Sequence, residues 1–190
     1  MGTSLVTKAE FKAYAGLTST TQDAAIDSLI PKVSELIKSI CGRSFVDYVN
    51  DAKVEYPLGG AAFINVSEPP IIAISSLEYS SDYGATYTTL TEYVDYTWNR
   101  RDDTIVSISG TDFDSKPNAY RLTYTGGYET LPQDLKLATL DLVNYYLRND
   151  MAVHSTRSQG SNTVQIEYVI NTNLPAHIKR VLDLYTLSFM

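Results

Sequence analysis

Residues 23–45 read DAAIDSLIPKVSELIKSICGRSF, and this stretch decides the fold of the N-terminal part of the chain. Its apolar residues recur three and four positions apart and form one stripe along a helix: Ile26, Leu29, Val33, Leu36, Ile37 and Ile40. Pro31 lies inside the stripe and lacks an amide hydrogen, so we expect a kink or a break near residues 29–30. Gly42 follows Cys41 and ends the pattern, because glycine accepts the left-handed conformation that closes helices.

A shorter helix is predicted ahead of this one. Residues 7–10 read TKAE, a capping box in which the Thr hydroxyl and the Glu carboxylate bond the free amides of a helix start. Gly16 is a good terminator for that helix. Residues 19–22 read STTQ and form a second capping-box candidate in front of the long helix.

Helical spacing returns near the C-terminus. Pro132 suits a first-turn position, and an apolar face of Leu135, Ala138 and Leu142 follows it. Residues 149–162 are rich in small polar side chains and predict a mobile loop, whereas residues 164–170 alternate as a strand does. A final helix is expected after Pro175, with its apolar positions spaced three and four apart.

The middle of the chain changes to a period of two. Alternating apolar residues indicate strands around residues 72–74, 94–98 and 120–124, and glycine- and proline-containing turns separate them. Several short strands of this kind predict a small antiparallel sheet or barrel. The predicted fold is therefore α+β, a small bundle of about four helices with an inserted antiparallel β lobe. We assign residues 1–45 and 131–190 to the bundle and residues 46–130 to the lobe.

Charge and tyrosine are both concentrated in the lobe. The chain has 190 residues and a net charge of -7, and residues 44–131 hold 13 acidic and 5 basic residues, leaving the remainder near +1. An acidic chain does not wrap nucleic acid, because phosphate binding needs clustered Lys and Arg. Ten of the 15 tyrosines also fall in the lobe, and tyrosine is favoured where a surface is buried against a partner.

Neither the ends nor the single cysteine indicates secretion or membrane insertion. Cys41 is the only cysteine and cannot close an intramolecular disulfide. The N-terminal residues lack the apolar run of a signal peptide, and no stretch approaches the ~18 apolar residues that a transmembrane helix needs. We expect a protein assembled in a cytoplasm.

No set of residues predicts catalysis or a cofactor. The two histidines, His154 in a polar loop and His177 in a first helical turn, have no spacing that suggests a shared metal site. Asp102 and Asp103, like Asp112 and Asp114, sit among turn residues, where aspartate is common for backbone reasons. No nucleophile elbow occurs. We expect no catalytic residues, no metal and no cofactor.

Two separated stretches resemble the head–tail connector, or adaptor, proteins of tailed bacteriophages. The first is residues 5–45, from LVTKAEF to a closing signature, Cys41-Gly42-Arg43-Ser44-Phe45. The second is YRLTYTGGYETLPQDLKLATLDLVNYYLRN, with Gly127 and Tyr128 in a turn and Pro132 opening a helix. The two stretches cover roughly 70 residues in the expected order. The middle lobe is much less diagnostic.

The resemblance implies a structural subunit rather than an enzyme. Family members form a ring, usually of twelve or thirteen copies, under the portal at the capsid vertex. The implied location is the virion neck between capsid and tail. The implied partners are further copies, with twelve expected in a ring, the portal, and a stopper or tail protein. Genomic DNA would pass through without sequence-specific binding.

The C-terminal helix is a candidate for docking onto the portal or a neighbour, as C-terminal segments do in some family members. The candidate contact residues are Arg157, Lys179, Arg180, Tyr185 and Phe189. An amphipathic terminal helix serves equally well for packing on its own bundle, so both uses stay open.

A second function fits the same residues. In this alternative the chain is a binding module, with an immunoglobulin-like or barrel-like β lobe on a helical stalk that recognises a ligand or a receptor. A measured ring of about twelve subunits would favour the connector, because closed cyclic assembly is a property of ring subunits. A small ligand bound tightly by the β lobe would favour the binding module.

Overall fold

The structure is a computed structural model that describes residues 2–155 and 174–186. The chain divides into two compact units, each with its own core. The helical unit comprises Met1–Gly42 and Leu131–Met190, and the β unit comprises Arg43–Thr130. Within the described residues the helical unit holds α1 (Lys8–Ala15), α2 (Asp23–Cys41), α3 (Gln133–Ser155) and α4 (Ala176–Tyr185). No helix in these residues is long and apolar enough to cross a bilayer.

The β unit consists of seven strands in two antiparallel sheets. The strands are β1 (Lys53–Glu55), β2 (Phe63–Asn65), β3 (Ile71–Tyr79), β4 (Thr88–Leu90), β5 (Tyr96–Asn99), β6 (Thr104–Ser107) and β7 (Tyr120–Gly126). The first sheet has the order β1-β7-β3-β4 and the second has the order β2-β6-β5. Helices together with antiparallel sheets confirm the predicted α+β class.

The predicted capping box at the start of α1 is confirmed. Thr7 Oγ1 accepts from the Glu10 amide at 3.2 Å, and the Glu10 carboxylate accepts from the Thr7 amide at 2.8 Å. Gly16 closes the helix in the left-handed conformation, with φ 66°. The capped N-terminus and the glycine at the C-terminus stabilise an eight-residue helix whose buried residue is Phe11.

Of the two alternatives expected near residues 29–30, the break is wrong, because α2 is continuous from Asp23 to Cys41, and the kink stays a prediction. Proline in a helix interior costs about 3 kcal/mol. Buried side chains on both sides of it, including Ile26, Ile30 and Ile37, each contribute about 1.5–3 kcal/mol by leaving water. Packing therefore outweighs the lost hydrogen bond, and the helix ends at Gly42 as predicted, with φ 70°.

The second capping box, predicted at residues 19–22, is also wrong. The residue that precedes α2 is Gln22, and its side chain makes no capping hydrogen bond. The Ser19 hydroxyl instead lies 2.8 Å from the Thr21 hydroxyl, a local pairing that competes with capping. The helix start is tied to α1 by Lys12 Nζ, which donates to the Asp23 carboxylate at 2.7 Å.

The loop predicted over residues 149–162 is wrong for its first seven residues, because α3 continues to Ser155 and includes His154. No glycine or proline lies between Pro132 and Gly160, so nothing in the sequence stops the helix before that point. Residues 156–162, and the strand predicted at 164–170, lie outside the described residues. The predicted final helix is present as α4, which begins directly after Pro175.

Both sheets of the β unit contribute to one apolar core. The inward face of β7 supplies Tyr120, Leu122 and Tyr124, and the second sheet supplies Ile64 and Ile105. The strand predicted around residues 94–98 starts later, at Tyr96. Val94 is exposed and belongs to the turn before β5, where its amide donates to the carbonyl of Thr91 at 3.2 Å.

Candidate functional site

Four residues of the resemblance motif meet at one point of the β unit, where the chain enters and leaves it. Phe45 and Tyr128 stack with ring centroids 6.5 Å apart and an interplanar angle of 24°. The Arg43 guanidinium carbon lies 4.9 Å from the Phe45 ring and 5.3 Å from the Tyr128 ring. The Tyr128 amide donates to the Phe45 carbonyl at 2.7 Å. We call this group, Arg43, Phe45, Gly127 and Tyr128, the entry clamp.

Glycine is required at position 127 of the entry clamp. Its φ is 105°, and a Cβ there would overlap the carbonyl oxygen of Phe45. Its amide donates to the carbonyl of Pro70 at 2.9 Å, so the backbone cannot turn away from the contact. Phe45 itself has φ 69°, an unfavourable value for a bulky residue. Both passages of chain are therefore fixed by surrounding contacts rather than by local preference.

Arg43 lies against two aromatic rings of the entry clamp. It is 7% exposed, and its Nε and Nη2 atoms have no hydrogen-bond partner. A guanidinium over an aromatic face gains about 0.5–2 kcal/mol from the ring's negative face. The arginine at this motif position thus lies beside the stacked pair, within cation–π distance of both rings.

A buried carboxylate lies beside the clamp. Both Glu68 carboxylate oxygens accept from the Ser44 amide at 3.0 Å, and the Lys53 ammonium lies 3.4 Å from one of them. The Glu68 amide in turn donates to the Tyr124 hydroxyl at 3.1 Å, and burial raises the pKa of that hydroxyl. Glu68 is therefore bonded to the chain before β1, to β1 itself and to β7.

Sequence reasoning missed Glu68. The available signal was a lone charge in an otherwise apolar and proline-rich run, VSEPPII, over residues 66–72. A charged side chain in such surroundings is seldom buried unless it has partners. The carboxylate partners lie 24 and 15 residues away in sequence, so their identity could not be read from the run.

The remaining motif residues belong to the helical unit. Cys41 is buried, and its thiol lies 3.7 Å from the carbonyl oxygen of Leu182 in α4. Gly42 forms the left-handed end of α2. Pro132 stands just before α3, and its carbonyl accepts the first helical bond, from the Lys136 amide at 2.9 Å. These three residues end or begin helices and pack them, which is a structural role.

The candidate contact residues on α4 separate into two kinds. Lys179 and Arg180 are exposed. The Tyr185 hydroxyl instead donates to the Asp134 carboxylate at 2.7 Å and holds the pKa of that carboxyl below its usual range. Tyr185 therefore ties α4 to the start of α3. Arg157 and Phe189 lie outside the described residues, and the structure provides no evidence for portal or neighbour contacts by any of the five.

The acidic turns bond to neighbouring groups of the β unit. Asp103 accepts from the Ile71 amide at 3.1 Å. Asp114 accepts from the Tyr79 hydroxyl at 3.0 Å and pairs with Lys116 at 2.7 Å. No cluster of three or more potential metal-ligating side chains occurs in residues 2–155 and 174–186. These contacts hold strands and turns of the β unit together.

Comparisons with known proteins agree over nearly the whole chain. A family model described as head completion protein matches residues 4–187. The head completion protein of Escherichia phage T5 is 21% identical over 182 residues, which cover 95% of this chain and 97% of the phage protein.

Solved neck structures share the fold. A chain in the neck of an empty gene transfer agent particle, computed with C6 symmetry, has a TM-score of 0.60 and 14% identity. The match covers 98% of this chain and 92% of that one. A chain in the neck of the native particle, computed with C12 symmetry, has a TM-score of 0.57 and 15% identity, with coverage of 96% and 89%.

Proposed function

The chain belongs to the head completion protein family, and from that premise we propose that it is a head–tail connector subunit in the neck of a tailed phage particle. The observation that carries this proposal is the family match over residues 4–187. The shared fold with neck chains of gene transfer agent particles, over 96–98% of this chain, supports it. In this proposal the protein acts as a structural part of the virion and performs no catalysis.

We further propose that the subunits form a closed ring, with about twelve copies as the expected number. The neck structures that share the fold are computed with C6 and C12 symmetry, which are cyclic. A cyclic ring needs head-to-tail contacts between different surfaces of each subunit. Copies that carry two distinct contact surfaces satisfy that requirement.

The charge distribution favours passage of DNA through the ring without binding. The β unit holds 13 acidic and 6 basic residues, a net charge of -7, and the helical unit has nine of each. Like charge suppresses adhesion to phosphate. We therefore propose that genomic DNA passes the ring without specific contacts and that the ring provides a platform for a stopper or tail protein.

The portal is the proposed partner of the C-terminal helix. Lys179 and Arg180 are exposed on α4 and available to a partner, and the chain continues beyond Tyr185. Truncation after Leu182 and a pull-down with purified portal test this contact. Retained binding by the truncated chain would remove it, and a second variant, Lys179→Ala with Arg180→Ala, separates loss of docking from loss of the Tyr185 bond to Asp134.

The proposed function itself is tested in the phage that encodes the chain. Loss of the gene is expected to yield DNA-filled heads that fail to join tails, and expression of the chain in trans restores tailed particles. Negative-stain images of the lysate count both products. Tailed, infectious particles at the wild-type frequency in the absence of the chain would overturn the proposal.

A further inference from the structure

The edge strand β1 is apolar on its exposed side and charged on its inward side, the reverse of the usual pattern. Lys53 and Glu55 pair in register with Tyr124 and Leu122, whose side chains face the core. Val54 pairs with Thr123 and faces outward. The alternation continues past the strand, so that Val54, Tyr56 and Leu58 are all exposed.

We call Val54, Tyr56 and Leu58 the apolar row; each is between 50% and 72% exposed. A strand with one buried face ordinarily turns its apolar residues to the core. Here the inward charges are paired with each other and with Glu68, and the apolar side chains are left in water. Contiguous exposed apolar groups of this kind mark an interaction surface.

A second exposed apolar group lies on the opposite side of the same unit. Tyr93 and Val94, in the connection between β4 and β5, are both exposed. In the sheet orders, β1 and β2 are edge strands joined by residues 56–62, and β4 and β5 are edge strands joined by residues 91–95. Short connections keep joined strands adjacent, so each pair of edges shares one side of the unit.

We propose that the apolar row of one copy docks on Tyr93 and Val94 of the next copy. The inference rests on the proposed ring, and it identifies the surfaces that form it. Two different apolar groups on opposite edges of one compact unit are what a head-to-tail contact requires, because such a contact joins unlike surfaces and repeats from copy to copy. A single self-complementary patch would give a two-fold dimer instead.

The contact is made by side chains rather than by adding strands to a shared sheet. Lys53 and Glu55 point inward from the β1 edge, and inward charges on an edge strand oppose pairing with another strand. The exposed tyrosines, Tyr56 and Tyr93, supply large amphipathic contact surfaces on the two sides. The lobe's high tyrosine content therefore has a specific use at this contact.

Cysteine cross-linking between two different variants tests the contact. Full-length Tyr56→Cys is mixed with full-length Tyr93→Cys, so that only a contact between copies can join them; Cys41 is buried and stays in place. Disulfide-linked pairs are expected at about tenfold or more above a control mixture of Tyr56→Cys and Leu184→Cys, because docking raises the effective concentration of the two thiols. Leu184 is exposed and lies in the helical unit.

The molar mass of the unsubstituted chain is measured by light scattering in parallel. This measurement distinguishes absence of the contact from absence of the ring. A ring without the 56–93 cross-link above control would overturn the contact and leave the proposed function intact. The absence of both the ring and the cross-link would count against the contact and against the proposed function. A chain carrying both cysteines is expected to give a ladder of linked copies, and a ladder that stops at two would overturn the head-to-tail arrangement.

Salt dependence provides a second test of the same contact. Both surfaces belong to a unit with a net charge of -7, so screening reduces repulsion while the apolar contact persists. Assembly and cross-linking are expected to increase when the ionic strength rises from ~0.1 M to ~0.5 M, where the Debye length falls well below ~10 Å. A loss of cross-linking over that range would overturn the contact and indicate one made by ion pairs.

Discussion

The two units use their charges differently. In the helical unit acidic and basic residues balance, and three ion pairs join one helix to another: Lys8 to Asp27, Lys12 to Asp23, and Lys136 to Glu10. In the β unit the basic residues are outnumbered, and a paired Lys53 is drawn inside. The difference teaches that the helices use balanced charge to hold each other, whereas the β unit carries an acidic excess that its six basic residues do not neutralise.

Their stability can be measured separately because each has its own signal. Trp98 is the only tryptophan and lies in β5, so its fluorescence follows the β unit. The far-ultraviolet circular dichroism of α-helices follows the helical unit. A substitution that shifts the unfolding midpoint of one signal and not the other supports separate stabilities of the two units. A substitution that shifts both midpoints together contradicts separate stabilities.

The largest effect is expected for Glu68→Ala. The change leaves the Ser44 amide without its acceptor and removes one of the two carboxylate partners of Lys53, which keeps Glu55. Removing one partner of a buried pair costs about 3–5 kcal/mol. Denaturant unfolding followed by Trp98 fluorescence measures this loss. Glu129→Ala, at an exposed position of the same unit, is the control and is expected to change stability by less than about 0.5 kcal/mol.

The helical signal is expected to keep its midpoint in Glu68→Ala. A matched shift of both signals would show that the two units unfold as one cooperative body. An unfolding free energy unchanged within about 0.5 kcal/mol would contradict the role given to the buried carboxylate.

The next effect is expected for Gly127→Ala in the entry clamp. The new Cβ overlaps the Phe45 carbonyl at a backbone φ of 105°, and strain of this kind costs about 3 kcal/mol. Gly110→Ala is the matched control, because its φ is 70° and open space surrounds the added carbon, which leaves only about 1 kcal/mol of strain. Equal losses in the two variants, again by Trp98 fluorescence, would show that the clamp adds nothing.

A smaller effect is expected in the helical unit from Thr7→Ala. It removes the cap of α1, for which about 1 kcal/mol is typical. Ser19→Ala tests the capping box that did not form, and it is expected to stay within about 0.5 kcal/mol of the wild type. Circular dichroism melting compares them, and a greater loss in Ser19→Ala than in Thr7→Ala would reverse the assignment of the caps.

The smallest effect is a pH dependence in the β unit. The Ser80 hydroxyl and the Thr86 amide and hydroxyl donate to the Asp82 carboxylate and hold its pKa well below the usual range. A carboxyl whose pKa is lower in the folded state contributes stability above its unfolded pKa, and this contribution is lost as the pH falls. Asp82→Asn is therefore expected to flatten the decline in β-unit stability between pH about 5 and about 2. An unchanged slope would exclude Asp82 as a contributor.

The helices were largely predictable from sequence because their signals are local. The spacing of the α2 stripe and the cap at Thr7 each lie within a few residues of the structure that they specify. The error at Pro31 arose because packing between distant residues outweighed a local preference, whereas at Ser19 a local hydroxyl pairing replaced the predicted cap. The α3 extension was missed because small polar residues were given more weight than the absence of a helix breaker.

The candidate site was only half predictable. The resemblance identified Arg43, Phe45, Gly127 and Tyr128 as motif residues, yet their meeting depends on two chain passages about 80 residues apart. The reversed alternation of β1 was present in the sequence as KVEYPL, but its direction depends on which side the core lies. Pairing with β7 decides that side, and sequence periodicity alone does not.

The entry clamp brings the two ends of the β unit together, with the Tyr128 amide 2.7 Å from the Phe45 carbonyl. A segment whose first and last residues lie side by side can be inserted or deleted in a single genetic event without changing the fold of the chain on either side. The β unit is in this sense a cassette. Exchange of the β unit would adapt a neck protein to a different neighbour while its helices stay the same. In protein engineering, the same insertion point would accept a foreign domain.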